Sequence, residues 1–167
     1  MFMKLKRYEV TIKGIGCADE RKQRYWLSKE YTMSPTVTTE GLMIWFMIDT
    51  MEVREVATAN IPGAFLQTNC DKGYIHIKLE GAIFTRLEEI DPENYKYFIY
   101  TYKSRSKCMY SEANKVIYGT LEASPLFWSK LSKILEEMGY QRNEYDWCVM
   151  KNIVDKKNAL YSGMSMT

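Results

Sequence analysis

The clearest structural signal in the sequence is a helical pattern over residues 124–139, SPLFWSKLSKILEEMG. Ser124 suits the N-cap, and Pro125 suits the first helical position because an N–H has no intrahelical partner there. The apolar side chains that recur at helical spacing are Phe127, Leu131, Ile134, Leu135 and Met138. Gly139 is suited to end the helix in a left-handed conformation. The stretch therefore predicts an amphipathic helix with one buried stripe.

Strand and helix patterns interleave on the amino-terminal side of this helix. Alternating or β-rich runs predict strands over residues 8–13, 55–59, 74–79, 97–102 and 147–150. A longer helix is predicted from Thr38 or Thr39 to about Glu52, and a shorter one over residues 83–90. The apolar face of the longer helix comprises Leu42, Met43, Trp45, Phe46, Ile48 and Met51. Because no regular βαβ period is present, the pattern predicts the α+β class.

Composition limits the classes of protein that the chain can belong to. The 167 residues are 46% hydrophobic and 26% charged, which is typical of a globular domain. The longest apolar run, residues 42–48, is too short to span a bilayer, and the first residues lack a signal-peptide core. We therefore expect an intracellular protein with no membrane partner, built as one continuous domain.

One histidine and four cysteines restrict the chemistry. His76 lies in an alternating strand pattern and is expected on the solvent face, and a single imidazole excludes a zinc site that needs two histidines. Cys17, Cys70, Cys108 and Cys148 form no C-x-x-C pair, so we expect reduced, buried thiols and no zinc ribbon.

The charge is distributed unevenly along the chain. Residues 1–30 carry eight Lys or Arg and four Asp or Glu, whereas the remainder carries 15 and 17. A basic leading segment could contact phosphates, and an ordinary solvated surface explains the same charge equally well.

Five unusual segments follow one another in the chain. They are residues 13–24 (KGIGCADERKQR), 34–37 (SPTV), 60–67 (NIPGAFLQ), 117–123 (IYGTLEA) and 138–149 (MGYQRNEYDWCV). Together and in this order they resemble the reverse transcriptase domain of copia-type (pseudoviral) retrotransposons. The resemblance implies an RNA-directed DNA polymerase of right-hand architecture, of which this chain would hold the fingers and a partial palm, C-terminally truncated.

The resemblance also implies a division of the chain and roles for single residues. Residues 1–33 would form a basic fingers segment, residues 34–158 fingers and palm, and residues 159–167 an out-of-frame tail. Asn60 stands where the family has the first metal-binding aspartate. The implied nucleotide-binding positions are Ile61, Gly63, Ala64, Phe65, Tyr118 and Gly119. The implied contacts to an RNA or DNA template-primer are Lys13, Arg21, Lys22 and Arg24.

Phe65 has two interpretations. By resemblance it is the aromatic residue that crowds the 2′ position of an incoming deoxynucleotide, whose triphosphate would face the backbone N–H groups of Gly63 and Ala64. Without the neighbouring motif, Phe65 would be interpreted as a core aromatic. The motif favours the first interpretation.

Polymerases of this family use two Mg²⁺ ions that are held by carboxylates, because a hard cation prefers anionic oxygen ligands. Asn60 carries no charge, and residues 159–167 hold no aspartate pair. We therefore expect no metal ligands, no retained cofactor and no polymerase activity in this chain.

The genetic code offers an explanation for residues 159–167. The string TGCACTATACTCTGGCATGTCGATGACTTGA encodes CTILWHVDDL in its own frame, which is the kind of hairpin that the family carries. One nucleotide later it encodes ALYSGMSMT and a stop, which matches residues 159–167. We therefore predict that these residues are a frameshifted form of the metal-binding hairpin.

Three functions follow as hypotheses. The first is an active polymerase, and the second, which the residues favour, is an inactive fragment of a retrotransposon reverse transcriptase. The third is a non-enzymatic remnant that binds nucleic acid or another protein, because loss of the hairpin would leave a sheet edge and apolar surface exposed near residues 55–59.

Overall fold

The structure is a computed structural model that describes residues 2–5, 12–28, 30, 32–70, 75–154 and 157–162. Within these residues the chain mixes helices and antiparallel sheets, which confirms the α+β prediction at the level of class. None of the described helices is long and apolar enough to cross a membrane.

The described residues form two longer helices and two shorter ones. They are α1 (Thr39–Met51), α2 (Ala82–Ile90), α3 (Pro92–Tyr95) and α4 (Ala123–Glu137). Two turns of 3₁₀ helix cover Glu20–Tyr25, and single turns cover Phe65–Gln67 and Lys96–Phe98.

The strands form three antiparallel sheets in the described part of the chain. They are β1 (Phe2–Leu5), β2 (Ile12–Ile15), β3 (His76–Glu80), β4 (Ile99–Thr101), β5 (Lys107–Glu112), β6 (Gln141–Arg142), β7 (Val149–Val154) and β8 (Lys157–Ser162). The orders are β1-β2, β3-β5-β4 and β6-β7-β8. In the last sheet Asn152 pairs with Ala159 and Met150 with Tyr161. Part of the predicted out-of-frame tail is therefore a regular strand, whereas residues 163–167 lie outside the described residues.

Local sequence signals predict the start of α1 and, less accurately, the start of α4. α1 has Thr38 as its N-cap, and the Thr38 hydroxyl oxygen accepts a hydrogen bond from the Gly41 N–H at 3.0 Å. α4 begins at Ala123, one residue before the predicted N-cap Ser124, because the Ala123 N–H already bonds to the Thr120 carbonyl at 3.1 Å. The prediction of Ser124 as the N-cap is therefore wrong by two positions, since Glu122 occupies it.

The predicted stripe of α4 is only partly buried. Leu135 is buried and Phe127 and Leu131 are half-buried, whereas Ile134 and Met138 are exposed. Gly139, at φ +91°, ends the helix as predicted.

The strand predictions are less accurate. The strand predicted over residues 55–59 is wrong, since described residues 54–60 form no strand and residues 55–60 are exposed. An alternating pattern becomes a strand only where another strand lies beside it, and none of the described strands pairs there. β4 is shorter than predicted, β7 begins at Val149, and residues 8–11 lie outside the described residues.

The apolar face predicted for α1 is largely uncovered. None of the residues of α1, all of which the structure describes, is buried. Leu42, Trp45 and Ile48 are half-buried, whereas Met43 and Phe46 are exposed. The periodicity correctly indicates a helix, but it does not supply the partner that would cover the face.

The core of the described residues is divided among the sheets and α4. Its buried apolar residues include Phe65, Ile75, Phe84, Cys108, Met109, Val116, Ala123, Leu135, Cys148, Val149 and Met150. The prediction of buried thiols is confirmed for Cys108 and Cys148, whereas it is wrong for Cys17, which is exposed on the segment before the 3₁₀ helix, and Cys70 is only half-buried. His76 is exposed at the start of β3, as predicted.

Candidate nucleotide and nucleic-acid site

Phe65 is the centre of a small core cluster. Its ring centroid lies 4.9 Å from that of Tyr118 and 5.9 Å from that of Phe127, and buried Val116 and Ala123 complete the cluster. Phe65 is 9% exposed. The ring therefore packs as a core aromatic does, and its contact with a deoxynucleotide sugar stays a prediction.

Residues 16–25, which belong to the basic leading part of the chain, pack against the backbone beside Tyr118. The Ala18 N–H donates to the Tyr118 carbonyl at 2.7 Å, and the Leu121 N–H donates to the side-chain oxygen of Gln23 at 3.1 Å. Gly119 has φ +82°, and a Cβ at this position would lie 2.3 Å from the Ala18 carbonyl oxygen. Only glycine fits this approach without displacing backbone, so Gly119 holds the segment against the cluster.

The segment around Asn60 forms a turn that leads into Phe65. Asn60 is exposed, Ile61 is half-buried and Ala64 is buried. Gly63 adopts φ +61°, the left-handed region that favours glycine. The carbonyls of Gly63 and Ala64 both accept the Gln67 N–H at 3.2 Å. Local backbone hydrogen bonds thus hold the predicted positions Gly63 and Ala64.

Residues 68–70 then run beside residues 114–116. The Val116 N–H donates to the Thr68 carbonyl at 3.0 Å, and the Cys70 N–H donates to the Asn114 carbonyl at 3.0 Å. The Lys130 ammonium of α4 donates to the Gln67 carbonyl at 2.5 Å. Three of the five sequence segments, 13–24, 60–67 and 117–123, therefore meet at one place.

The other two segments meet at the start of α1. A Cβ on Gly41 would lie 3.5 Å from a carboxylate oxygen of Asp146 and 3.6 Å from a methyl group of Val37. The indole rings of Trp128 and Trp147 stack at 6.4 Å with an interplanar angle of 17°. Because α4 carries both Phe127 and Trp128, it links the two meeting points.

Two of the four predicted nucleic-acid contacts are paired with carboxylates. The Arg21 Nε and Nη2 donate to Asp19 at 2.9 and 2.6 Å, and these bonds lower the pKa of Asp19 to about 2. Arg24 pairs with Glu20, while Lys22 is exposed. Exposed ion pairs of this kind are weak, so both arginines can exchange a carboxylate for a phosphate. The side chain of Lys13, in β2, is outside the described part.

The carboxylates do not form a metal site in the described residues. These residues contain no group of three or more His, Cys, Asp or Glu that could hold a metal ion. Asp146 instead accepts the Cys148 N–H at 2.9 Å in a turn. Asn60 is a neutral amide. A hard divalent cation needs several anionic oxygens, so the described residues do not fit a two-magnesium centre.

Three tyrosines that the sequence patterns did not single out, Tyr100, Tyr102 and Tyr110, lie together on β4, directly after it and on β5. The ring centroids of Tyr100 and Tyr102 lie 5.1 Å apart, and those of Tyr100 and Tyr110 lie 6.5 Å apart. The hydroxyls of Tyr102 and Tyr110 hydrogen-bond at 2.7 Å, and this bond, with the nearby Cys108, raises the pKa of Tyr102 to about 12. Alternation in the strand predicted over residues 97–102 could have placed Tyr100 and Tyr102 on one face.

Comparison of the chain with protein-family models, with curated proteins and with solved structures gives no match. The functional interpretation therefore depends on the sequence segments and on the contacts among them.

Proposed function

We propose that the chain is a fragment of the reverse transcriptase domain of a copia-type retrotransposon, with fingers and a partial palm, that does not catalyse nucleotide addition. In this proposal residues 16–25 and 60–67 and the turn at Tyr118 and Gly119 are the remains of a surface for template and deoxynucleotide. Any remaining contact with nucleic acid is weak and independent of sequence.

The observation that carries the proposal is the meeting of segments that are distant in the chain. Ala18, Phe65 and Tyr118 belong to three of the segments that resemble the family, and hydrogen bonds and ring contacts join them. Segments that had drifted into an unrelated fold would have no reason to lie together. Their contact supports a common ancestral site.

The absence of catalysis follows from the charge at the first metal position. Two unit charges about 4 Å apart interact by about 4 kcal/mol at an effective dielectric constant near 20, and a divalent ion increases this energy. Asn60 lacks this attraction to a metal ion because its amide is neutral. Binding of Mg²⁺ and the polymerase rate should therefore both be lost.

A primer-extension assay tests the catalytic part of the proposal. The full chain is incubated with a labelled primer, an RNA template, deoxynucleotides and Mg²⁺, beside an active viral reverse transcriptase as the positive control. We expect no extension, and none from Asn60→Asp, because one carboxylate does not make a two-ion site. Template-dependent extension that a chelator abolishes would overturn the proposal.

The coding DNA tests the ancestry. If residues 159–167 are frameshifted, a shift of one nucleotide near codon 159 restores a V-D-D segment. A coding sequence without such a segment in either shifted frame would contradict the frameshift.

A second candidate function, a protein-interaction remnant, is favoured by α1. Met43, Phe46, Met47 and Met51 lie on one side of the helix at positions i, i+3, i+4 and i+8, and all four are exposed. Light scattering after size-exclusion chromatography tests this candidate. A concentration-independent monomer that Met47→Glu leaves unchanged would count against self-association through α1.

A further inference from the structure

The sheet β3-β5-β4 has two different faces. Leu79 and Ile99 both pair with Met109 in the register, and Met109 is 3% exposed, so their face belongs to the core. Lys78 pairs with Tyr110, and side chains alternate along a strand, so these two lie on the opposite face. On that face Cys108, which pairs with Tyr100, is 1% exposed, whereas the tyrosine rings around it reach solvent.

The solvent-exposed part of this face is aromatic. Tyr100 is 55% exposed and Tyr110 44% exposed. Tyr102 joins them through the ring contact with Tyr100 and the hydroxyl bond with Tyr110. We call these three residues the tyrosine face. Its rings are held in place by contacts with one another and still present much of their surface to solvent.

The tyrosine face is bordered by positive charge. Residues 96–112 hold four Lys or Arg and a single carboxylate. Lys96, Lys103 and Arg105 form no ion pair within the described part of the chain. The Lys78 ammonium lies 5.3 Å from the ring centroid of Tyr102. Lys78 pairs with Glu80 and Lys107 with Glu88. The surface therefore combines exposed rings with the two turn cations, Lys103 and Arg105, which have no carboxylate partner among the described residues.

The β4–β5 turn fixes the position of two of these cations. The Tyr102 N–H donates to the Ser106 carbonyl at 2.9 Å, and the Arg105 N–H donates to the Tyr102 carbonyl at 2.9 Å. Arg105 has φ +64°. The short turn keeps Lys103 and Arg105 at the end of the strands that carry the tyrosine face.

We propose that the tyrosine face binds single-stranded nucleic acid, with bases stacked on Tyr100 and Tyr110 and phosphates near Lys103 and Arg105. Aromatic rings on an open sheet stack bases, and neighbouring cations attract the backbone that joins them. An apolar protein partner would leave these cations without a counter-charge. The site lies outside the five segments and does not require the proposed polymerase ancestry.

Fluorescence anisotropy of the full chain with a fluorescein-labelled 12-nucleotide single-stranded RNA tests the site. We expect Tyr100→Leu with Tyr110→Leu to weaken binding by about fivefold or more, since stacking of one base is worth at least about 1 kcal/mol. Tyr100→Phe with Tyr110→Phe keeps the rings and should stay within about twofold of the unmodified chain. Tyr145→Leu is the control, because Tyr145 is 97% exposed and lies outside the sheet.

A charge variant gives a second, independent measurement. Lys103→Gln with Arg105→Asn should reduce the slope of log affinity against log salt by about 1.4, at about 0.7 for each phosphate contact on a single strand. Asparagine tolerates the left-handed backbone at position 105, so the turn is preserved. This variant tests the site even if the leucine variant does not fold, which circular dichroism checks.

Three results would overturn the proposal: unchanged affinity in the leucine variant, equal affinity for a duplex of the same length, or no binding at low salt. Loss of binding in Arg21→Gln with Arg24→Gln, but not in the tyrosine or turn variants, would also overturn it. That last result would place the contact in residues 16–25 and leave the proposed function intact.

Discussion

Gly119→Ala is the most informative single change in the structure. Position 119 combines φ +82° with a close approach of backbone, since the added Cβ would lie 2.3 Å from the Ala18 carbonyl oxygen and 2.9 Å from the Ala18 nitrogen. Ordinary contact begins at 3.4 Å, so the backbone at Ala18 must shift by about 1 Å. No flexible side chain can absorb the change.

The expected destabilisation has two parts. The left-handed conformation costs alanine about 1–2 kcal/mol, and loss of the Ala18–Tyr118 hydrogen bond costs about 1 kcal/mol more. The sum, about 2–3 kcal/mol, is a large share of the roughly 5–15 kcal/mol that stabilises a typical native protein. For a chain of this length it corresponds to a fall in Tm of about 4–12 °C.

Urea denaturation followed by tryptophan fluorescence and circular dichroism measures the change in unfolding free energy. Gly63→Ala is the matched control, because Gly63 has φ +61° but nothing within 4 Å of the added Cβ. Gly63→Ala should lose only the part of the stability that the left-handed conformation costs alanine, about 1–2 kcal/mol. If Gly119→Ala is no more destabilised than Gly63→Ala, the contact with Ala18 is not what holds the segment.

Three further predictions concern stability and reactivity. The Thr68 hydroxyl is buried without a hydrogen-bond partner in the described residues. Thr68→Val should therefore leave the unfolding free energy, measured by urea titration, unchanged or raise it by up to about 1 kcal/mol. A clear loss of stability would contradict this prediction. Thr38→Ala should lower the stability by about 1 kcal/mol and Thr38→Ser should restore it, because Thr38 caps α1. Burial, with the Asp146 carboxylate, raises the pKa of Cys148 to about 11, so at pH 8 only about one thiol in a thousand is ionised. A thiol reagent should therefore label exposed Cys17 quickly, and Cys148→Ser should not change the number of fast-reacting thiols.

The sequence predicts those parts of the fold that local interactions determine. The cap at Thr38, the bounds of α2 and the stop at Gly139 all depend on residues within a few positions of one another. The prediction of a strand over residues 55–59 failed because a strand depends on a partner strand, which can lie anywhere in the chain. The alternation there is real, and no described strand uses it.

The candidate site could be predicted only in part for the same reason, since its contacts join residues that are distant in the chain. The resemblance selects Phe65 and Tyr118 as residues of interest, but neither their ring contact nor the bond to Ala18 follows from the order of segments. The tyrosine face needs the register of β4 on β5, which places Tyr100 opposite Cys108 and near Tyr110. Burial could not be predicted either, since the apolar positions of α1 and α4 are covered to very different extents.

The bond between the segment at Gln23 and the turn at Leu121 has a consequence for synthesis of the protein. Its partners are 98 residues apart in the chain. At about 5–20 residues per second, a ribosome needs roughly 5–20 s to make the second partner after the first. During that time residues 16–25 emerge without the surface on which they dock, so chaperones have a window of seconds in which to bind this basic segment.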